Sequence, residues 1–347
     1  MPRSSAYQRA VAEQRAPARE NHAGKLNLIE IVRLATLAAS SHNSQPWLFR
    51  LEESGISILP DFSRRCPVVD PDDGHLFKSL GCAAENAVHA AAAQGHAAEV
   101  TFESSTQGVH LSFHRSKAIR ASELFPAIPQ RQCTKLPYDG RKLDDADRAA
   151  LEKAAIGKGV RMVLIDDAPT RETIIDYVRQ GNRAQLCDPA FRKELVSWLR
   201  FNDVSAIRSG DGLSARSSGQ PSLPDWLARP ILRFVLTGES QARTDERNIR
   251  SAPLIALFIA EREEPASWVE TGRVYERFAL QATALGIRSA FINQPIEVRD
   301  LRPQLNALLG LRTEAALLML RVGHGPQAPF SLRRPVEQVI LKPEAVA

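Results

Sequence analysis

The chain has 347 residues, of which 44% are hydrophobic and 24% charged, and its formal net charge is +5 at pH 7. This is an ordinary globular balance, long enough for about two domains of common size. No window reaches the ~18 uninterrupted apolar residues of a membrane span, and no Lys/Arg run interleaves with aromatics as nucleic-acid binding would require; mild basicity favours an anionic small molecule such as a phosphate ester.

Residues 1–25 are polar and lack an apolar leader core, so they read as a flexible tail with at most a short helix, and no secretory signal is expected. The four cysteines, Cys66, Cys82, Cys133 and Cys187, form no C-x-x-C pair and no zinc spacing. They read as reduced thiols of a cytoplasmic protein. "LNLIEIVRLATLAA" (26–39) has helical apolar spacing, and "WLFRL" and "GISILPD" joined by "EESG" read as a hairpin. An Ala-rich helix follows the capping residues of "DPDDG" and ends at Gly95. "AEVTFES" and "VHLSFHR" read as two further strands.

Beyond Arg131 the order restarts. "LDDADRAALEKAA" is a helix capped by Asp144 or Asp145, "VRMVLIDD" is a strand, "SAPLIALFIAE" another, "WVETGRVYERFALQATALG" a long helix and "EAALLMLRVGHG" a buried strand. The two long helices align as "GCAAENAVHAAAAQG" (81–95) on "GRVYERFALQATALG" (272–286), with Gly81/Gly272, Glu85/Glu276, Ala91/Ala282, Ala93/Ala284 and Gly95/Gly286 coincident. This predicts an internal duplication, 26–125 and 126–347, the second half carrying an insertion at about 167–250. The insertion contains the Gly/Ser/Pro-rich "RSGDGLSARSSGQPSLPDW", which reads as a lid, with Trp198, Phe201 and Trp226 available to pack on something flat.

There is no Walker loop, no G-x-G-x-x-G, no H-E-x-x-H and no G-x-S-x-G. His42 lies near Ser40, Ser41 and Ser44, but no acid partner follows from spacing. Four clusters remain. "SSHNSQPW" sets amides and hydroxyls in a fixed frame, which suits the polar edge of a heterocycle or, equally, a turn that launches a strand. "RQCTKLPYDGR" places Arg131, Lys135 and Arg141 before a helix, either a phosphate site or a solvated basic turn. "FSLRRPVEQVI" offers Arg333 and Arg334, and "GIRSAFINQPIE" places Asn293 and Gln294 at a strand end.

Taken together, "SSHNSQPW", the basic "RQCTK" segment, "ALGIRSAFINQPIE" and the arginines before "PVE" resemble the nitroreductase-fold flavoproteins, and most closely their Acg-like branch. The resemblance covers about 26–343. It implies an α+β, three-layer fold of two pseudo-repeated halves, each an antiparallel sheet flanked by helices, with a lid insertion. It also implies a dimer fused into one chain, hence a functional monomer, holding one FMN. Arg131 and Lys135 would meet the phosphate and the flavin's polar edge. Cys133 stands where the family has Ser or Thr, and Lys135 where it has Arg. Ser40, Ser41, Asn43 and Gln45 would line the ring and ribityl chain, and Arg333 with Arg334 would clamp the phosphate, Arg200 being a lesser candidate. Asn293 and Gln294 replace an acid–glycine pair near flavin N5. The implied activity is hydride transfer from NAD(P)H to flavin and on to a nitroaromatic or quinone. A flavin-sequestering protein with a closed lid, and a flavin-free scaffold, are the competing readings.

Overall fold

The computed structural model describes residues 5–17 and 26–342. The first helix, α1 (Ala6–Gln14), falls inside the segment expected to be a loose tail. It forms because Ser5 and Gln8 make a reciprocal capping box, and it docks because Tyr7 is buried, donating its hydroxyl to Phe330 O at 2.7 Å. The remainder of the expected tail lies outside the described residues.

Helix α2 (Leu28–Ala35) leads through a short 3-10 turn (Ser41–Asn43) into β1 (Trp47–Leu51) and β2 (Gly55–Pro60). Helix α3 (Gly74–Ala93) and strands β3 (His96–Glu103) and β4 (Gly108–Arg115) complete the first half. The strands form an antiparallel sheet in the order β1-β2-β4-β3. The second half starts with α4 (Asp145–Ala154), capped by Asp144, and β5 (Val160–Ile165). There follow α5 (Ala168–Cys187), α6 (Pro189–Trp198), β6 (Leu199–Arg200), α7 (Asp203–Ser209), β7 (Leu213–Ser214), α8 (Asp225–Val235) and α9 (Gly238–Arg250). Then come β8 (Leu254–Ala260), α10 (Pro265–Ala284), β9 (Arg288–Phe291), α11 (Gln294–Glu297), α12 (Arg302–Leu308) and β10 (Ala315–Gly323). The second sheet runs β5-β8-β10-β9, also antiparallel.

With the insertion removed, both halves read helix, strand, strand, long helix, strand, strand, and both sheets place the fourth strand between the second and third. The insertion lies between β5 and β8. The aligned glycines explain how the halves meet. A Cβ on Gly81 would sit 1.9 Å from Val269 O, and one on Gly272 would sit 1.9 Å from Lys78 O. Each helix therefore presents a bare backbone to the carbonyl three residues before the other's glycine, a pseudo-twofold crossing that only glycine permits. Gly95 and Gly286, aligned at the other end, both close their helices at positive φ, +77° and +71°.

The insertion also accounts for a difference between the sheets. In β8, Leu254, Ala256, Phe258 and Ala260 join the core around α3 and α10, while Ile255, Leu257 and Ile259 face a second core with Ile174, Ile175 and Val178 of α5 and Leu305 of α12. That sheet is covered on both faces, which is why the strand is a continuous apolar run. The first sheet packs one face on α2 and α3 through Phe49, Ile58 and Leu111, and its β3 alternates in burial. The three-layer expectation thus holds for the second half, where the inserted helices supply the third layer. Among the described residues no helix is long and apolar enough to cross a membrane, and no group of His, Cys, Asp and Glu is placed to hold a metal ion.

Candidate functional site

Ser40–Gln45 joins α2 to β1 and carries the strongest backbone anomaly of the chain. His42, Asn43 and Gln45 have φ of +50°, +53° and +53°. Left-handed backbone costs a non-glycine residue about 1–2 kcal/mol, so three within four residues persist only where surroundings over-determine them. Those surroundings are visible. Ser40 Oγ accepts from Gln45 N at 3.1 Å. Asn43 Nδ2 donates to Leu332 O and Gly212 O, both at 3.1 Å. Gln45 Nε2 donates to Gly210 O at 2.9 Å, and its Oε1 accepts from Arg334 N at 2.9 Å.

The two amides expected along the ring and ribityl chain thus hold the lid and the C-terminal segment instead. Gly210 and Gly212 are needed for this approach. Their φ values are +65° and +75°, and a Cβ would lie 2.7 Å from Arg333 O and 2.4 Å from Trp198 O respectively. Asp211 between them pairs with Arg64 of the first half and with Arg200 at 2.6 Å, and both arginines hold its carboxyl below the usual range against the opposing effect of burial. Arg200 is therefore a lid residue. Trp226 is 77% exposed and makes no ring contact among the described residues, whereas Trp198 packs with Cys66 and Phe191, 5.4 Å under the Arg64 guanidinium.

Arg131 and Arg333, expected as phosphate ligands, are buried and converge on the end of α2. Arg131 Nη2 donates to Leu37 O at 2.6 Å. Arg333 donates to Thr36 O at 2.8 Å through Nε, and to Leu37 O and Ala38 O at 3.0 and 3.2 Å through Nη2. Unpaired carbonyls at a helix C-terminus attract cations, so both arginines anchor the approach to the strained turn. Glu276 lies 3.1 Å from Arg131 Nε and accepts from Ala39 N at 3.3 Å. Arg334 is spent on Gln45 O and Gln338 O.

Lys135 is exposed; its carbonyl accepts from Asn248 Nδ2 at 3.2 Å, while its ammonium makes no hydrogen bond or ion pair with the described residues. Its charge reaches His42, whose pKa is depressed to about 4, first by burial and then by Lys135. His42 Nδ1 is buried and has no hydrogen-bond partner among the described residues. Cys133 is half-buried, a free thiol bridged through the backbone to Ser289. Arg141 lies apart, exposed beside Asp139 at 3.8 Å, so the three cations of the basic segment do not converge. Asn293 Oδ1 accepts from Met319 N at 2.8 Å. Gln294 Nε2 donates to Asn182 Oδ1 and Asp245 Oδ2 at 3.2 and 3.0 Å, packing on α5 where Gly181 makes room.

Sequence reasoning missed a buried charged group beside this turn. His75 Nε2 lies 3.5 Å from Glu297 Oε1, Gln185 donates to Glu297 Oε2 at 2.7 Å, and Lys78 Nζ donates to Leu317 O at 3.1 Å. Burial pushes Glu297 up to about 7, and Lys78 down to about 8 against the opposing pull of Asp70. His75 is depressed by burial and by Lys78 and His42. The available signals were Lys78 inside the apolar "HLFKSLG" and Glu297 directly after "NQP". Also missed was Arg15, which joins Arg131 and Arg333 in a buried cluster. Ser41, Ser44, Cys66, Asp70 and Leu76 line a small hollow under the turn. The larger cleft, about 520 Å³ between Phe62, Phe77, Glu263 and Trp268, contains none of the predicted residues.

The chain is 26% identical over 328 residues to the Mycobacterium tuberculosis protein Rv3131, covering 90% of this chain and 91% of that one. It is 24% identical over 319 residues to acg of the same organism, covering 89% and 93%. Both names place their proteins, provisionally, among NAD(P)H nitroreductases. Among solved structures, a nitroreductase with bound FMN from Bacteroides fragilis matches with a TM-score of 0.38 and 14% identity, over 65% of this chain and 98% of that one. A family model described as the nitroreductase family matches residues 130–324, more than half of the chain, from the edge of the arginine cluster to the end of β10. The strained turn, the basic segment and the doubled sheet are therefore features of a member of the nitroreductase family.

Proposed function

We propose that the chain is an FMN-dependent oxidoreductase that takes hydride from NAD(P)H and passes electrons to a nitroaromatic or quinone acceptor. The observation that carries this reading is the strained Ser40–Gln45 turn set beside a buried arginine cluster and, without a partner among the described residues, the Lys135 ammonium and His42 Nδ1. The donor set fits the group. An isoalloxazine edge needs a cation and a polar contact near N1 and O2, for which Lys135, His42 and the Ser41 hydroxyl are available. Bound FMN would supply the hydride and electron chemistry. Lys135 would favour negative charge on the ring edge. Ser40–Gln45 would fix the ring's orientation through a backbone that cannot relax. His75 and Glu297, close to His42, would hold or release a proton for the acceptor. The inserted helices would exclude water. Family membership and the names of the M. tuberculosis relatives support the same reading.

A second reading, a flavin-holding protein with little turnover, is favoured by one feature. Asn43 and Gln45 bind the lid backbone while Arg64 grips Asp211, which closes the site from the first half. Anaerobic addition of excess NADPH to reconstituted protein separates the two. Bleaching of the flavin bands within seconds is the enzyme's result; persistent colour contradicts it and supports sequestration. We also propose that the chain divides as 26–125 and 126–347, acts as a monomer and needs no partner beyond small molecules.

A further inference from the structure

We propose that the cleft between the N-terminal ends of α3 and α10 is a binding site for a small organic cation, on the pseudo-twofold axis that relates the two halves. The inference goes beyond the flavin reading and does not depend on it.

The cleft holds about 520 Å³, within the range of small-molecule sites. Both halves line it at equivalent positions. Asp72 and Glu263 each stand nine residues before the crossing glycines, Gly81 and Gly272, and Phe77 and Trp268 each stand four before them. The turn at Ser40–Gln45 and the arginine cluster contribute nothing to the lining.

The walls are aromatic. The Phe77 and Trp268 rings stack at 6.0 Å with 28° between their planes. Phe77 is buried and forms the floor, Trp268 is half-buried, and Phe62 is 43% exposed on the opposite side. An aromatic face attracts a cation within about 6 Å of its centre and supplies apolar contact as well.

The charge of the lining selects the same class of ligand. Each of its charged residues, Asp72, Asp73 and Glu263, is a carboxylate, in a chain whose formal net charge is +5. Arg65 and Arg302 pair with Asp73 and Glu263 at 2.9 and 2.5 Å from outside the lining. The Asp72 carboxylate has no hydrogen bond or ion pair among the described residues. Carboxylates at a helix start are ordinarily spent as caps. Here Asp70 takes that part in α3, accepting from His75 N at 2.9 Å and Leu76 N at 3.0 Å. Neither N-cap residue, Asp73 of α3 or Glu264 of α10, bonds its own helix through its side chain. Among the described residues no carboxylates converge as a metal site requires, so the fitting occupant is a cation of diffuse charge and apolar surface.

The test is calorimetric titration of the full chain with benzyltrimethylammonium, and with benzyl alcohol as a neutral ligand carrying the same ring. Saturable binding of the cation is expected in the millimolar range, at least about fivefold tighter than the alcohol. Asp72→Asn combined with Glu263→Gln is expected to weaken the cation about 3- to 10-fold and to change the alcohol less than about twofold. Trp268→Leu is expected to weaken both ligands, the cation by about 3- to 30-fold. Should Trp268→Leu not fold, the carboxylate variant, altered only at exposed positions, carries the test. Absence of saturable cation binding up to about 50 mM, equal affinity for the two ligands, or cation binding unchanged by the carboxylate substitutions overturns the inference. None of these results bears on whether the chain binds flavin.

Discussion

Glu297 sits where the titration of a single carboxyl can be read in the stability of the whole chain. It is faced by His75, Lys78, Asp70 and Gln185, and burial raises it from the ordinary value to about 7. A folded-state pKa above the unfolded one means the native state holds the proton more tightly. The contribution is therefore full below about 4.5 and is lost as pH rises to about 7. Glu297→Gln removes the titration, so its stability relative to wild type should rise across that window by about 2–3 kcal/mol, measured by urea unfolding at pH 4.5, 6 and 7.5. A flat difference would show that the carboxyl is not held neutral. His42 acts oppositely: its folded pKa of about 4 lies below the unfolded one, so its contribution is lost as pH falls from about 6.5 to 4. At this scale the sequence showed which residues were unusual but not what they touched. "SSHNSQPW" stood out because seven polar or turn-forming residues precede a strand. That Asn43 and Gln45 would bind Gly212 and Gly210, some 165 residues away, is a tertiary pairing that no local spacing encodes. Arg131 and Arg333 read as free cations because the carbonyls they satisfy belong to the backbone just beyond α2, which carries no side-chain signal.

Helices α3 and α10 were the most legible elements, because their glycines, buried glutamates and C-caps align and each alignment has a steric or electrostatic cause. Glu85 is buried against Arg273 and Arg277 of the opposing helix, as Glu276 is against Arg131. Gly81→Ala should destabilise by about 3 kcal/mol or more, since a methyl 1.9 Å from Val269 O forces the helices apart. Gly286→Ala, with nothing within 4 Å but a φ of +71°, should cost about 1–2 kcal/mol. Equal midpoint shifts in thermal unfolding would contradict the crossing geometry. The lid was legible as an insertion but not as a latch. Asp211→Asn removes its charge pairing with Arg64 and Arg200, and limited proteolysis within 199–223 should quicken several-fold; an unchanged rate would mean that Asn43 and Gln45 hold the lid alone. Helix α1 was expected at most as a short helix in a loose tail, because nothing in its own pattern stabilises it; its order comes from the capping box and from docking Tyr7.

Two halves with one topology raise the question of how many sites the molecule carries. The position equivalent to Ser40–Gln45 in the second half is the α4–β5 link, Ala155–Gly159, where Gly157 already lies against Val274 and Glu270. The position equivalent to Asn293–Gln294 in the first half is the β3–β4 turn, with no room for helices such as α11 and α12. The polar turn, the basic segment and the arginine cluster therefore assemble once, from the first half, the start of the second and the C-terminal segment, with α1 added from outside the repeat. In this reading, one 38.3 kDa chain encloses one flavin mononucleotide between its own halves. The most direct test is the flavin-to-protein ratio after reconstitution with excess FMN, read together with the mass by light scattering. One FMN on a monomer is the expected result; two per chain, one per pair of chains, or none would contradict it.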